Sequence, residues 1–264
     1  MQRMTSTTPQ NPGKKMQHQK TQHSSPGTLY GIGVGPGDPE LIPLKAVNIL
    51  HEVDVVFSAS SSKNQHSLAL KIARPHLPET ARILLLPFPM TMDRQKASQA
   101  WQEHTETILQ ELCQGHSAAF ITLGDPLTYS TYSYLLRSIQ ETAPQTRIET
   151  IPGITSYQAA AAATNTPLVE GEENLLLLSG VQGGSGLKQL TDQVDNVVFL
   201  KAYKNITDIC DTLRDSGRLS SSVGVVRCGF QDQEVFQNVQ ELCRQEPRYW
   251  TLIISKPDRD NGSS

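Results

Sequence analysis

The sequence predicts an α/β protein made of two α/β domains with largely parallel sheets. Strand-like runs alternate with helical patterns along most of the chain, as they do in the βα units of parallel sheets. Most of these runs are continuous apolar stretches without alternation, which is typical of strands covered on both faces. The runs fall into two groups along the chain, and this grouping predicts the two domains.

The expected strands are short, and turn residues separate them from the helical patterns that follow. Their lengths are those of buried strands rather than of buried helices. We expect the first group of strands at 29–33, 53–57, 82–86, 118–122 and 147–151, and the second group at 175–179, 197–200, 223–226 and 249–254.

Between the strands, apolar residues recur at helical spacing. Ile42, Ala46, Ile49 and Val53 fall at i, i+4, i+7 and i+11, which places them on one face of a helix. A second and longer helix is expected around 101–112, where large apolar residues again recur. These helices would supply the layers that cover the sheets.

The two ends of the chain differ in composition from the rest. Residues 1–27 are rich in Gln, Ser, Thr, Pro and Lys, contain no Asp or Glu, and show no apolar periodicity. Such a segment buries too little apolar surface to offset the entropy lost on ordering. We therefore expect a disordered N-terminal tail at 1–27, an N-terminal α/β domain at 28–160, a C-terminal α/β domain at 161–256 and a frayed tail at 257–264.

Composition and charge disfavour several classes of protein. The 264 residues carry a formal net charge of -3, whereas nucleic-acid binders usually have a basic excess. No apolar run approaches the roughly 18 residues that a membrane span needs. No secretory signal is visible, so we expect a cytoplasmic protein without nucleic-acid or membrane partners.

The four cysteines contain no CxxC pair. We interpret all four as reduced thiols, as the redox state of the cytoplasm favours. No His, Cys and Asp residues are spaced as metal ligands, so we expect no protein-bound metal.

A glycine-rich loop, 31–40, follows the first expected strand and leads into a helix. It invites comparison with the GxGxxG dinucleotide fingerprint, but its third glycine position is Pro36 or Asp38, depending on where the motif begins. Pro36 has no N–H to offer a pyrophosphate, and Asp38 would repel one. An acidic residue does lie about 20 positions further on, at Asp54, so an NAD-dependent oxidoreductase stays open as an alternative. Two other interpretations remain: a plain tight turn, and a loop that approaches a ligand other than a phosphate.

Two more loops follow expected strands. The loop 123–132 contains Gly124, which permits close backbone approach, followed by hydroxyl and tyrosine side chains. The loop 151–157 leads into an alanine-rich helix, and its Thr155 and Ser156 could cap that helix or bind a ligand. Open α/β sheets bind ligands at the carboxyl ends of their strands, so both loops are candidate binding segments. The simpler alternatives are a helix-capping turn and a buried helix.

Taken together, the three loops resemble those of the tetrapyrrole (corrin/porphyrin) methylase family, over residues 28–256. The residues that carry the resemblance are 31–40, 123–128 and 151–156. Within the family, the stretches 33–41, 124–132 and 167–173 resemble the branch that methylates C20 of precorrin-2 or cobalt-factor II.

This resemblance implies two α/β domains with S-adenosyl-L-methionine bound in a cleft between them, usually in a homodimer. The expected substrate is a tetrapyrrole of cobalamin biosynthesis. Leu200 departs from the Met that many relatives carry at this position. The expected cofactor-binding residues are Pro36, Leu123, Gly124, Asp125, Thr128, Thr155, Ser156 and Leu200.

Two other groups of residues are expected to act on the tetrapyrrole itself. Cations at strand ends or in polar loops would bind its carboxylates, although each could also be a plain surface cation. A base would remove the C20 proton after methyl transfer, and either a side chain or water could serve. The candidate cations are Lys63, Lys201 and Arg227, and the candidate bases are Tyr129, Tyr132 and Glu170.

Three alternatives to C20 methylation stay open. Another enzyme of the family, such as a uroporphyrinogen III C2/C7 methyltransferase, shares the same loops. Outside that class, the chain could be an NAD-dependent oxidoreductase or a non-enzymatic tetrapyrrole-binding regulator. The sequence does not decide between a cobalt-containing and a metal-free substrate, and we favour cobalt slightly.

Overall fold

The computed structural model describes residues 25–61, 67–89 and 93–258. The candidate cation Lys63, residues 1–24 of the predicted tail and residues 259–264 lie outside the described residues. Gly27 departs from the expected disordered tail, because it is buried and its N–H donates to the Leu112 carbonyl at 2.8 Å. Among the described residues, no helix is both long and apolar enough to cross a membrane.

The first half of the chain forms a five-stranded sheet in the order β3-β2-β4-β1-β5, and every pairing in it is parallel. Apolar clusters lie on both of its faces, which explains why most of its strands contain continuous apolar runs. Its strands are β1 (Thr28–Gly33), β2 (Val55–Ser61), β3 (Arg82–Phe88), β4 (Ala118–Thr122) and β5 (Arg147–Ile151), and its helices are α1 (Leu44–Glu52), α2 (Leu68–Ala73), α3 (Arg94–Cys113) and α4 (Tyr132–Thr142).

The second half forms another five-stranded sheet, in the order β6-β7-β10-β8-β9. Helices lie against both faces of this sheet as well. Its strands are β6 (Leu175–Ser179), β7 (Asn196–Leu200), β8 (Ser222–Val226), β9 (Glu234–Phe236) and β10 (Thr251–Ser255), and the helices are α5 (Ser156–Thr164), α6 (Ser185–Lys188), α7 (Ile206–Asp215) and α8 (Val239–Cys243).

The prediction of two α/β units is confirmed, and the prediction of a largely parallel sheet is confirmed for the first unit only. In the second sheet only β6 and β7 are parallel, whereas the three other pairings are antiparallel. The connection from β8 to β9, residues 227–233, is shorter than the dozen or so residues that a parallel crossover needs. β9 was not predicted, because a three-residue strand with one buried residue carries little apolar signal.

Helix α5 connects the two units. Its Ala160 is buried against Val198 and Val225 of the second sheet, although the helix follows the last strand of the first sheet. The small alanine side chains allow the helix to approach that sheet closely. The predicted domain boundary at 160/161 falls inside this helix, and its position stays a prediction.

The cysteines do not all follow the prediction of reduced thiols. Cys210 of α7 and Cys243 of α8 form a disulfide, with their α-carbons 6.2 Å apart. The two cysteines are 33 positions apart in the sequence, which gave no sign of their proximity. They meet because both helices cover the same face of the second sheet. Cys113 is free and exposed, and Cys228 is free and buried. Burial raises the pKa of the Cys228 thiol to about 11.

Candidate functional site

The three predicted loops leave three neighbouring strands. β1 lies between β4 and β5, with Gly33 paired to Thr122 and Ile32 paired to Ile151. Because all three strands are parallel, their carboxyl ends meet at one edge of the sheet, where ligands of open α/β folds bind. The topology therefore brings the three loops together.

The loops pack against one another through glycine backbone. A β-carbon on Gly33 would lie 2.5 Å from the Gly124 carbonyl oxygen, and one on Gly153 would lie 2.1 Å from the same atom. Real β-carbons essentially never approach other atoms so closely, so all three loops can meet only with glycine at residues 33 and 153. Gly124 itself has φ +67°, and a β-carbon there would meet nothing nearer than the Ile154 carbonyl at 4.0 Å.

Hydrogen bonds fix the loops in this arrangement. The Gly124 N–H donates to the Gly35 carbonyl at 2.7 Å, and the Gly35 N–H donates back at 3.3 Å. Asp125 joins the second loop to the third, because its Oδ2 accepts from the Gly153 N–H at 3.2 Å. Its Oδ1 accepts from the Leu127 N–H and the Thr128 hydroxyl within its own loop. Asp125 therefore sets the spacing between the two loops.

Two residues of these loops cap helical turns. Asp38 accepts from the Glu40 N–H at 2.9 Å at the start of a short 3-10 turn. Thr155 begins α5 in a capping box with Gln158, in which each side chain accepts from the other residue's backbone N–H. Asp38 therefore places a negative charge on the first loop, which would repel a pyrophosphate there.

The loops form one side of a cavity of about 400 Å³ between the two sheets. A cavity of this volume is within the usual range for small-molecule sites. The structure brings all eight predicted cofactor-binding residues to its wall, namely Pro36, Leu123, Gly124, Asp125, Thr128, Thr155, Ser156 and Leu200.

The opposite wall belongs to the second unit and is aromatic. Tyr203 and Tyr249 meet edge to face at 5.0 Å, Tyr249 contacts Trp250, and Trp250 stacks on Phe230 at 5.1 Å. All four line the cavity, together with the cations Lys201 and Lys204. An apolar aromatic wall with few charges suits a flat heteroaromatic group.

Strained backbone is concentrated around this cavity. Five described non-glycine residues have positive φ, and four of them are Tyr129, Lys201, Arg227 and Trp250. Three of these four line the cavity, and Arg227 lies directly behind its wall. Such conformations cost about 1–3 kcal/mol each and are concentrated at functional sites. Their clustering supports a functional role for the cavity.

The structure separates the three candidate bases. Tyr129 lines the cavity, and the Lys201 Nζ lies 5.4 Å from the centre of its ring. Tyr132, in contrast, is fully buried in the first core, where its hydroxyl pairs with Thr150 at 2.9 Å and burial raises its pKa. The structure therefore does not support Tyr132 as a base, because it begins α4 and its ring packs into the core of the first unit, away from the cavity.

Glu170 also lies away from the cavity. It accepts a hydrogen bond from the Lys256 Nζ at 3.2 Å, and the same Lys256 binds the Pro167 carbonyl at 2.8 Å. This clamp holds the loop 167–173 to the end of β10. The structure does not support Glu170 as a base either, because its carboxylate forms an ion pair with Lys256 and lies outside the wall of the cavity.

Several wall residues were not predicted from the sequence. Tyr203, Tyr249 and Trp250 stand next to strands but belong to no glycine-rich loop. The Tyr-Trp pair immediately before β10 was a visible signal, since two adjacent aromatic residues at a strand entrance are unusual in a solvated turn. The positive φ of Trp250, which turns it into the wall, has no signature in the sequence.

Comparison with known families and relatives gives consistent results. The sequence model of the family described as Tetrapyrrole (Corrin/Porphyrin) Methylases matches residues 28–243. A protein of Methanocaldococcus jannaschii named probable cobalt-precorrin-2 C(20)-methyltransferase is 35% identical over 208 residues, covering 78% of this chain and 85% of the relative. The cobalt-precorrin-2 C(20)-methyltransferase of Salmonella typhimurium is 30% identical over 232 residues, covering 87% and 97% of the two chains.

A solved structure has the same fold. It is the uroporphyrin-III C-methyl transferase of Thermus thermophilus, complexed with S-adenyl homocysteine. The TM-score is 0.62 at 22% sequence identity, and the match covers 87% of this chain and 92% of that one. At this identity the likeness concerns the fold.

Proposed function

The chain belongs to the tetrapyrrole (corrin/porphyrin) methylase family, and we propose that it transfers one methyl group from S-adenosyl-L-methionine to C20 of a precorrin-2-type tetrapyrrole in cobalamin biosynthesis. The observation that carries the proposal is the convergence of three glycine-rich loops on one cavity. The assignment of C20, and the preference for the cobalt-containing substrate, rest on the names of the two relatives.

The residues of the cavity suit S-adenosylmethionine. Gly124 has no side chain to fill the space beside its loop, so the donor can approach the loop closely. The aromatic wall suits the adenine ring. The first loop does not suit a pyrophosphate, because Pro36 has no N–H to offer and the Asp38 carboxylate would repel it. We assign the eight predicted residues, from Pro36 to Leu200, to hold the donor.

When bound, S-adenosylmethionine supplies an electrophilic methyl group on a sulfonium sulfur. The part of the protein is to hold the two reactants in line and to exclude water, for which positioning supplies up to about 7–11 kcal/mol in favourable cases. The rigid glycine contacts and the Asp125 bridge serve this purpose, because they fix the loops before any ligand arrives.

Other cavity residues would act on the macrocycle. Lys201 and Lys204 border the cavity and would attract its peripheral carboxylates, and Arg227 lies behind the same wall. Tyr129 is the one of the three candidate bases that lines the cavity, and we assign to it the proton that leaves C20. The absence of a protein-bound metal, the homodimer and the cytoplasmic location remain parts of the proposal, and light scattering tests the homodimer.

The test is turnover with several tetrapyrroles. The purified chain is incubated with S-adenosylmethionine and, in separate reactions, with precorrin-2, its cobalt complex and uroporphyrinogen III. Mass spectrometry should show a gain of one methyl group on a precorrin-2-type substrate. A gain of two methyl groups on uroporphyrinogen III would move the chain to the C2/C7 enzymes, and binding of both ligands without transfer would favour a regulator.

A further inference from the structure

A second cavity, of about 630 Å³, opens beside the first and shares Phe230 with it. One side is the turn Gly37–Pro39 together with Lys71 of α2, both from the first unit. The other side is the segment 227–232 between β8 and β9, which belongs to the second unit. The two units touch here, because a β-carbon on Gly37 would lie 2.8 Å from the Gly229 backbone.

Arg227 is held in a fixed direction on the wall of this cavity. Its backbone is left-handed, with φ +54°, and its N–H donates to the Trp250 carbonyl at 3.1 Å. Its guanidinium carbon lies 5.1 Å from the Phe230 ring and 5.2 Å from the Trp250 ring. Stacking on aromatic rings restrains the side chain without using its N–H donors. The guanidinium is therefore preorganised for an anion.

The group that faces this guanidinium is an exposed carboxylate of the same chain. Asp232 Oδ2 lies 2.5 Å from Arg227 Nε, and the Asp232 side chain is 63% exposed against 37% for Arg227. The contact is close but poorly aligned, since Arg227 Nε has no hydrogen-bond partner within the described part of the chain. A fork-to-fork pair, which uses two parallel N–H donors, would bind a carboxylate better.

The surrounding charges favour a carboxylate in its ionised form. The Arg227 guanidinium holds the pKa of the Asp232 carboxyl below its ordinary value, and Lys71 lowers it further. Lys71 stands across the cavity on the other unit, so a carboxylate that enters between the units meets cations from both sides. Asp38, the other acid of this wall, is engaged with the Glu40 N–H.

We propose that Arg227 and Lys71 form a subsite for a peripheral carboxylate of the macrocycle, and that Asp232 occupies Arg227 until that carboxylate displaces it. The identity of the ligand rests on the proposed function, but the exchange of one carboxylate for another follows from this geometry. Asp232 would then lower the affinity for weakly charged macrocycles and make binding depend on a well-placed carboxylate.

The experiment titrates the full chain with uroporphyrin III, a stable macrocycle that carries eight carboxylates, and follows binding by absorbance. Asp232→Asn should bind it several-fold more tightly than the unmodified chain, because the competing charge is gone. Arg227→Gln should bind it roughly tenfold or more weakly, the usual effect of losing a charged hydrogen bond. Lys71→Gln should also weaken binding.

A matched control exists elsewhere in the second unit. Arg248 forms an ion pair with Glu234 and lies over the Phe236 ring at 5.5 Å, but it lines neither cavity. Glu234→Gln removes the same charge as Asp232→Asn and should leave uroporphyrin binding unchanged. If Asp232→Asn binds no more tightly than Glu234→Gln, the displacement model is overturned, even where Arg227→Gln fails to fold.

Methyl transfer by the unmodified chain is measured in parallel. If the unmodified chain transfers methyl groups but Asp232→Asn does not change uroporphyrin binding, the proposed function stands and the subsite is overturned. If Asp232→Asn binds uroporphyrin more tightly but the unmodified chain methylates no tetrapyrrole, the subsite is supported and the proposed function is contradicted. Binding of S-adenosylhomocysteine to Asp232→Asn, measured by calorimetry, should equal that of the unmodified chain, because Asp232 lies outside the first cavity.

Discussion

The carbonyl oxygen of Gly124 lies so close to the α-carbon of Gly153 that a β-carbon at residue 153 would sit 2.1 Å from it. The second and third loops are therefore in direct backbone contact, and the first loop joins them through Gly33. This contact places the ends of three strands at one cavity, and it yields predictions for single substitutions.

Gly153→Ala should destabilise the protein more than Gly124→Ala. At residue 153 the added methyl group must push the Gly124 carbonyl away, and such overpacking typically costs about 1–3 kcal/mol. At residue 124 the methyl group has room, and the cost is that of placing alanine at φ +67°, roughly 1 kcal/mol. Urea unfolding measures both.

Gly171→Ala is the control for the backbone effect, because Gly171 has φ +57° and no atom within 4 Å of a built β-carbon. It should resemble Gly124→Ala in stability while leaving S-adenosylhomocysteine binding intact. Equal losses of stability at residues 153 and 124 would show that the loops are not in the contact described.

Asp125→Asn should weaken the connection between the second and third loops. One carboxylate oxygen accepts from the Gly153 N–H and the other from Leu127 and Thr128, whereas an asparagine amide has a single acceptor. The unsatisfied N–H should cost about 1–3 kcal/mol of stability. Calorimetry should also show weaker binding of S-adenosylhomocysteine.

Asp93→Asn is a suitable comparison for Asp125→Asn. Asp93 accepts from the Gln95 and Lys96 N–H groups at the start of α3, and it lies outside the wall of the first cavity. Its substitution should cost less stability and leave ligand binding unchanged. If the two variants lose the same stability and bind S-adenosylhomocysteine equally well, Asp125 does not bridge the two loops.

S-Adenosylmethionine and S-adenosylhomocysteine should bind, and NAD should not. The Asp38 carboxylate puts a negative charge on the first loop, which would repel a pyrophosphate, and Pro36 offers no N–H there. Isothermal calorimetry with each ligand tests this directly. Tight binding of NAD with no heat from either sulfur ligand would favour the oxidoreductase alternative.

Reduction of the Cys210–Cys243 disulfide should lower the free energy of unfolding. A cross-link that closes a loop of this length usually contributes about 2–4 kcal/mol.

Alkylation of the urea-unfolded chain should label two thiols without reductant, Cys113 and Cys228, and four after reduction. In the folded chain at pH 8, Cys113 alone should react, because the Cys228 thiol is buried and its pKa of about 11 keeps it protonated. Four labelled thiols without reductant would contradict the cross-link.

The sequence predicted the strands of the first sheet well, because most of them contain a continuous apolar run between two covered faces. It predicted the second sheet less well, since the direction of each strand depends on the path of the connection that leads into it. β9 shows this most clearly, because two of its three residues are exposed and only Phe236 is buried. The disulfide was missed because its cysteines are distant in the chain and adjacent only in the fold.

The loop side of the site could be predicted because glycine marks the places where backbone must meet backbone, as at Gly33 and Gly153. The aromatic side was missed, since the left-handed backbone that turns Trp250 toward the cavity has no signature in the sequence. Tyr132 and Glu170 illustrate the opposite error. Both are chemically suitable residues in predicted loops, but side-chain direction and an ion pair place them elsewhere.

The position of the transferred methyl group tests the proposed function most directly. The chain is incubated with S-adenosylmethionine labelled with carbon-13 in the methyl group and with cobalt-precorrin-2, and carbon NMR of the product locates the label. A single labelled methyl group on C20, the meso carbon between rings A and D, is the expected result. A label on any ring carbon, or no label on any tetrapyrrole, would contradict C20 methylation.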